Sequence, residues 1–283
     1  MAGGPASRLA PAKINLTLHV TGQQANGYHL LDSLVVFAEL GDQISVCDAP
    51  GLVFSLSGPQ ATALADEGDN LVMRAARLMG AKNVALSLDK RLPVASGMGG
   101  GSSDAAATLH LLSEWHGEPL PDTAQAMQLG ADVPVCLAAP HPCRMRGLGE
   151  DVVPVAGVPP LWMVLVNPGQ GLSTPAVFKA LTSKTNAPMP KALPTWRDAA
   201  DICAWLETQR NDLEAPACAL IPEITGVLDN IRGQEGCYLA RMTGSGATCF
   251  GLFADQAQAN AAARALSQPG WFVTATRTAA SVS

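Results

Sequence analysis

The succession of apolar patterns predicts an α+β protein in two halves, each with a sheet and its own helices. Two observations carry this. Runs that alternate apolar and polar residues, the period of a half-buried strand, recur in both halves among helical patterns. A proline-rich joint, Val158-Pro159-Pro160, separates the halves, giving domains of residues 1–157 and 158–283.

In the first half Ile14, Leu16, Leu18 and Val20 alternate with Asn15, Thr17 and His19, which predicts a strand closed by a turn at 22–27. Apolar runs at 34–40, 43–46 and 52–56, separated by Gly, Asp and Pro, predict three more strands. Asp69 stands where it can cap a helix over 70–79, and residues 84–88 alternate again as a strand. A glycine loop follows and opens a helix at Ser102 or Ser103, which carries Ala105, Leu109 and Leu112 on one face and ends near Gly117. A helix over 123–129 and extended pieces at 142–145 and 152–155 complete this half. In the second half a strand at 161–166 and a loop at 167–173 precede helical patterns at 175–181, 196–208, 212–220 and 222–231. Strands are expected near 238–242, 248–253 and 271–275. The polar, proline-rich stretch 182–194 reads as a mobile surface loop.

Composition narrows the function. Among 283 residues, 18 Lys and Arg stand against 24 acidic residues, a net charge of −6 that gives no footprint for nucleic acid or an anionic membrane. There is no apolar run of membrane-spanning length. The seven cysteines form no C-x-x-C pair and no secretory signal pattern precedes them, so reduced thiols in a cytoplasm are expected. The five histidines are scattered without metal-ligand spacing.

The most informative stretch is PVASGMGGGSSDAA, residues 93–106. Gly97, Gly99, Gly100 and Gly101 let the backbone come close to a ligand, and the free amides before a helix point at anionic oxygens. A triphosphate would supply both acceptor and counter-charge. The Walker A pattern fails, because Ser102 stands at the sixth position from Gly97 and no Lys-Ser/Thr pair follows. The dinucleotide fingerprint fails too: Ser102 replaces a third glycine, and Glu118 lies in a Pro/Gly turn. A plain strand-to-helix turn is the alternative.

PAKINL at 11–16, the P-x-x-x-G-x-G-G-G-S-S loop, LGADVP at 129–134 and TGSGAT at 243–248, in this order, resemble the GHMP kinase superfamily. NGYHLLDSL at 26–34, DNLVMRA at 69–75, MRGLGE at 145–150, TPAVFKAL at 174–181 and RNDLE at 210–214 are similar to the branch that acts on a CDP-linked methylerythritol. The resemblance covers residues 9–253. It implies a two-domain GHMP-kinase-like fold with the active site in the cleft between the domains. It also implies transfer of the γ-phosphoryl of ATP to the 2-hydroxyl of the methylerythritol, a step of non-mevalonate isoprenoid synthesis.

The resemblance implies roles residue by residue. Asp132 would accept the hydroxyl proton and Lys13 would face it, steadying charge on the moving phosphoryl. Taken alone, Asp132 can equally be a helix cap, and Lys13 a solvent-facing edge lysine. ATP would meet Pro93, Gly97, Gly99, Gly100, Gly101, Ser102 and Ser103, with Asn70, Leu71 and Lys90 bordering the adenine; Asn70 can also be simply part of a cap. Tyr28 by stacking and His29 by hydrogen bonding would hold the cytosine, with Phe178 as the opposite stacking face, although singly each aromatic reads as packing. Asn15 would contact the acceptor, and the Gly244-Ser245-Gly246 turn, alone a tight hairpin, would offer further amides to the substrate diphosphate. Asp104 favours the helix dipole but opposes a triphosphate, so it is expected to point away from the nucleotide. No second carboxylate stands out for Mg²⁺, which would arrive with ATP, Ser103 being a candidate ligand.

Overall fold

The computed structural model describes residues 4–65 and 68–279. Its centre is one long strand. β3 (His29–Asp48) runs through both of the segments expected at 34–40 and 43–46, because Gly41 lets the chain pass Ala10 without a break: a Cβ there would collide with the Ala10 carbonyl. Its two halves serve different neighbours. β2 (His19–Gln23) and β6 (Cys143–Gly147) pair with the first half, while β5 (Val84–Asp89) pairs with the second and β1 (Ala6–Asn15) spans much of its length. β4 (Leu52–Ser57), parallel to β5, and β7 (Asp151–Pro154), beside β6, extend the two sides of this seven-stranded sheet.

β8 (Trp162–Asn167), β9 (Cys237–Met242), β10 (Cys249–Phe253) and β11 (Phe272–Arg277) form a second, antiparallel sheet in the order β11-β8-β10-β9. Its side-chain parity divides two cores. Met163, Leu165, Phe250 and Leu252 share a buried cluster with Ile14, Leu34 and Val36 of the large sheet and with Leu16 just after β1. Val164, Val166 and Phe253 face the other way, toward α8 (Glu223–Arg232) and α9 (Gln256–Leu266). One continuous apolar layer thus joins the halves, and the Ala38–Thr278 bridge closes it at one edge.

On the large sheet, α1 (Leu71–Leu78) packs on α2 (Gly100–His116), and α2 lies against β1 and β3. Short helices α3 (Thr123–Met127) and α4 (Val133–Leu137) follow, then α5 (Thr174–Lys179), α6 (Ala199–Glu207) and α7 (Glu214–Leu220) in the second half.

Several expectations are corrected. The alternation through Val20 is broken: β1 ends at Asn15 and Leu18 bridges Asn211, so residues 16–18 are buried by tertiary contacts rather than as a strand interior. Asn70, not Asp69, caps α1, accepting the Met73 amide. α2 begins at Gly100, two residues early, because Gly99 adopts the left-handed N-cap conformation. α9 escaped notice, since its buried face is Ala259, Ala262 and Leu266.

The stretch 182–194 is held, not free. The Arg144 guanidinium donates to both oxygens of Asp32 at 2.8 and 2.7 Å and to the carbonyls of Met189, Pro190 and Lys191, and the Met189 amide donates to Asp32. Both charged side chains are buried. Arg144→Ala would strand the Asp32 carboxylate, and such losses cost about 3–5 kcal/mol, against much less for Asp32→Asn combined with Arg144→Met. Urea unfolding of the two variants checks this, and limited proteolysis should find 182–194 newly cleavable in Arg144→Ala.

Candidate active site

A cleft of about 590 Å³ opens between the halves. One wall is the glycine loop between β5 and α2. Among the described residues the amides of Gly97 through Ser102 have no hydrogen-bond partner, whereas the loop's carbonyls are tied down. Leu172 donates to Ala95, Thr248 to Ser96 and Lys13 to Met98 through their backbone N–H groups. Gly97 and Gly99 sit at φ +79° and +64°. The start of α2 therefore presents unpaired donors and the positive end of its dipole to the cleft, an anion site in physical terms.

The glycines also admit close neighbours. A Cβ on Gly99 would lie 2.9 Å from Cε of Lys13, and one on Gly100 3.1 Å from Nζ of Lys90. A Cβ on Gly97 would meet Thr243 O at 2.5 Å and Gly246 N at 2.8 Å, while one on Gly244 would strike the Gly97 carbonyl. The two glycine turns, far apart in sequence, are packed backbone to backbone.

Lys13 leaves β1 just after a register shift and is 3% exposed. Its Nζ donates to Asp132 Oδ2 at 2.8 Å. Asp132 is the N-cap residue of α4 but makes no capping bond. Two local features go with this: the backbone of Asp132 is helical (φ −88°, ψ −9°) where a capping residue is extended, and the second helical residue, Pro134, has no amide to cap. The carboxylate, about a third exposed, faces the cleft instead.

Lys90 is bound on both sides. Its buried ammonium donates to Asp42 Oδ2 at 2.6 Å and Asp104 Oδ2 at 2.8 Å. Burial opposes its charge, but the carboxylates of Asp104 and Asp42 outweigh it and raise its pKa. Asp42 also accepts the amides of Arg91 and Leu92. Asp104 borders the cleft beside Lys90 rather than pointing away, and its Oδ1 is buried without a partner. Desolvation, reinforced by the Asp42 charge, pushes its pKa up to about 7 against the pull of Lys90.

Asn70, Leu71, Pro93, Gly97, Gly99, Gly100, Gly101 and Ser102 all line the cleft, and Leu71 packs on Gly101. Ser103 does not; its hydroxyl is buried and donates to Cys136 Sγ. Asn15 is fully buried at the cleft wall: its amide donates to Thr243 Oγ1, its Nδ2 to Ser33 Oγ, and its Oδ1 has no partner. Gly244 and Ser245 line the same end, Gly246 packs behind them on Gly97, and Ser245 Oγ lies 2.7 Å from Thr174 Oγ1.

At the far end Phe178 stacks on His29 with ring centroids 4.6 Å apart, and His29 Nε2 is buried without a partner. Burial, with Lys184 nearby, lowers the His29 pKa and favours the neutral ring. Tyr28 is 64% exposed at the β2–β3 hairpin and does not line the cleft. Asp42, Thr174 and Asn211 were not singled out by sequence; Thr174, within TPAVFKAL, and Asn211, within RNDLE, carried a signal, and Asp42 carried none.

The chain is similar to known proteins along nearly its whole length. The profile for the GHMP kinases N terminal domain matches residues 70–140, and that for GHMP kinases C terminal matches 191–270. The chain is 55% identical to 4-diphosphocytidyl-2-C-methyl-D-erythritol kinase of Cereibacter sphaeroides over 95% of its own length and 98% of the relative's. It is 56% identical to the protein of that name from Paracoccus denitrificans, covering 94% of each. A crystal structure of 4-(cytidine 5'-diphospho)-2C-methyl-D-erythritol kinase superposes with a TM-score of 0.76 at 33% identity, over 97% of this chain and 100% of the other.

The buried Asp104 has a consequence for stability. The native protein keeps its proton between about pH 4 and pH 7 where the unfolded chain has lost it, so stability from this group is full below pH 4 and falls as pH rises to 7. Asp104→Asn should make the pH dependence of unfolding free energy over that window less negative by up to about 1.4 kcal/mol per pH unit. Denaturant titrations at several pH values measure it.

Proposed function

The chain belongs to the 4-diphosphocytidyl-2-C-methyl-D-erythritol kinase family of the GHMP kinases, and we propose how its cleft moves a phosphoryl group. The reaction is ATP-dependent phosphorylation of the 2-hydroxyl of the methylerythritol unit, giving the 2-phosphate and ADP in non-mevalonate isoprenoid synthesis.

The observation that carries the mechanism is the Lys13–Asp132 pair at 2.8 Å beside an anion site of open amides. Phosphoryl transfer asks for alignment and charge stabilisation more than covalent chemistry. The amides of residues 97–102 grip the ATP tail, with Asn70, Leu71, Lys90 and Pro93 lining the nucleotide's path. Asp132 takes the proton of the acceptor hydroxyl, and Lys13 both holds that carboxylate in place at 2.8 Å and faces the transferring group. Asn15 offers its unpartnered Oδ1 to the acceptor, and the Gly244-Ser245-Gly246 turn offers amides to its diphosphate. His29, neutral and with a free Nε2, suits hydrogen bonding to cytosine, for which Phe178 and Tyr28 are the flanking rings.

Mg²⁺ enters as the counter-ion of ATP. The cleft carboxylates are engaged, Asp132 by Lys13 and Asp104 by Lys90, and the Ser103 hydroxyl is turned to Cys136, so the chain offers the ion little beyond water and phosphate oxygens. The nucleotide half is taken as residues 1–157 and the acceptor half as 158–283, a division supported by β7 ending at Pro154 and β8 opening the second sheet at Trp162. No helix of the described residues is long and apolar enough to cross a membrane. A cytoplasmic enzyme working on small molecules, without nucleic acid or membrane, is the consistent setting.

Incubation with ATP and the cytidyl acceptor should yield ADP and a 2-phosphate. Asp132→Asn should lower kcat by about 10²–10⁴ with ATP affinity retained, the usual worth of a general base; unchanged turnover would remove Asp132 from the mechanism. An acceptor trimmed of cytidine should lose kcat/KM, and equal turnover would dismiss the roles of Tyr28, His29 and Phe178.

A further inference from the structure

The segment 210–214 reaches the cleft wall only at Leu213, yet its polar groups are bound to two segments that shape the wall. On one side it clasps the β1–β2 connection: Leu18 N donates to Arg210 O, Asp212 N donates to Leu18 O, and Val20 N donates to Asp212 Oδ2 at 2.7 Å. On the other it clasps the second glycine turn. Asn211, 7% exposed, donates from Nδ2 to Met242 O at 2.8 Å and Gly244 O at 2.9 Å, while its Oδ1 accepts the Leu213 amide at 2.9 Å. Glu214 Oε2 accepts the Met242 amide.

We infer that Asn211 is a positioning residue for phosphoryl transfer, one that sets the height of the Gly244–Ser245 amides over the acceptor by holding the carbonyls of Met242 and Gly244 from behind. The inference rests on the functional reading above. Within the turn, the Gly246 amide donates to Thr243 O, which leaves the Gly244 and Ser245 amides unpaired among the described residues. The turn is then fixed on three sides: Asn15 N donates to Thr243 Oγ1, Gly97 packs against Gly244 and Gly246, and Asn211 holds it from the protein interior. Thr174 meets Ser245 at the cleft surface. The ATP side has its own anchors, the amides of Lys13, Leu172 and Thr248 on the loop carbonyls, and none of them runs through Asn211. Asn211 bonds directly to the acceptor-side turn and reaches the nucleotide loop only through the packing of Gly244 and Gly246 on Gly97, so disturbing it moves the acceptor side more than the nucleotide side. Aspartate at this position keeps the shape but turns an oxygen toward two carbonyl oxygens; alanine leaves both carbonyls without their donor.

The test is steady-state kinetics of Asn211→Asp, Asn211→Ala and Asn211→Ser, run well below each variant's melting temperature, with ATP and the cytidyl acceptor varied separately. The Asp and Ala variants should show an acceptor KM raised about tenfold or more and a lower kcat, with the ATP KM within about twofold of the parent. Asn211→Ser, which keeps one donor, should fall between them and the parent, and it decides the matter alone if the others do not fold. Variants that melt earlier but keep the parent's acceptor KM and kcat would reduce Asn211 to a structural role and overturn the assignment, as would an equal rise in both KM values. A parent protein that transfers no phosphoryl group to the cytidyl acceptor would instead sink the functional reading, and this assignment with it.

Discussion

The backbone of residues 97–100 is closely approached from several sides: the second glycine turn lies against Gly97 at a distance that only glycine tolerates, Lys13 presses on Gly99 and Lys90 on Gly100. Close approach is usually bought with hydrogen bonds that occupy the backbone. Here the bonds go to the carbonyls of Ala95, Ser96 and Met98, and the amides stay open. A buried backbone donor without a partner is costly, so a loop held this way is stable only when something anionic or aqueous stands in front of it. The loop is rigid because its acceptors are tied and receptive because its donors are not. Two of the three ties, from Leu172 and Thr248, come from the second half of the chain, so neither half builds the anion site alone.

The two lysines beside this loop meet opposite electrostatic conditions. Lys13 is buried but its partner Asp132 is about a third exposed, which leaves the carboxylate open to a hydroxyl arriving from the cleft. Lys90 is shared between two carboxylates that are nearly inaccessible, and the cluster would carry an excess negative charge in a dry setting if both were ionised. Burial and the nearby Asp42 charge favour the protonated form of Asp104, which lessens that excess. A lysine with one open partner suits chemistry; a lysine with two closed partners suits scaffolding.

Much of this was legible in the residues. The glycine spacing at 97–101 announced a loop that comes close to its neighbours and keeps its amides open, and the resemblance paired Lys13 with Asp132 although 119 positions separate them, a contact that the structure bears at 2.8 Å. Strand and helix identities were legible where the periodicity was strong, as at 84–88 and 222–231. What escaped were features written in pairs. Asp42 and Lys90 lie 48 positions apart, and no local pattern shows that a buried carboxylate waits for a lysine. The stretch 182–194 has the composition of a free loop, and only the distant Arg144–Asp32 pair makes it a fixed strap. α9 failed for another reason: alanines pack closely on a sheet yet give little apolar periodicity.

Asp132 shows how a short sequence can decide between two roles for one side chain. An aspartate at a helix N-cap ordinarily turns its carboxylate back onto the helix amides, and that bond would hold it away from a substrate. Pro134 removes the nearer of the two amides a cap can reach, and it also starts the helix without needing that donor, since its ring presets the helical φ. The remaining competitor is the Val135 amide, and Asp132 makes no bond to it; the carboxylate bonds to Lys13 Nζ instead, where the attraction between full charges exceeds that of a neutral amide. The order Asp-Val-Pro thus leaves the helix intact and the carboxylate facing the cleft, bonded to Lys13 rather than to the helix it begins.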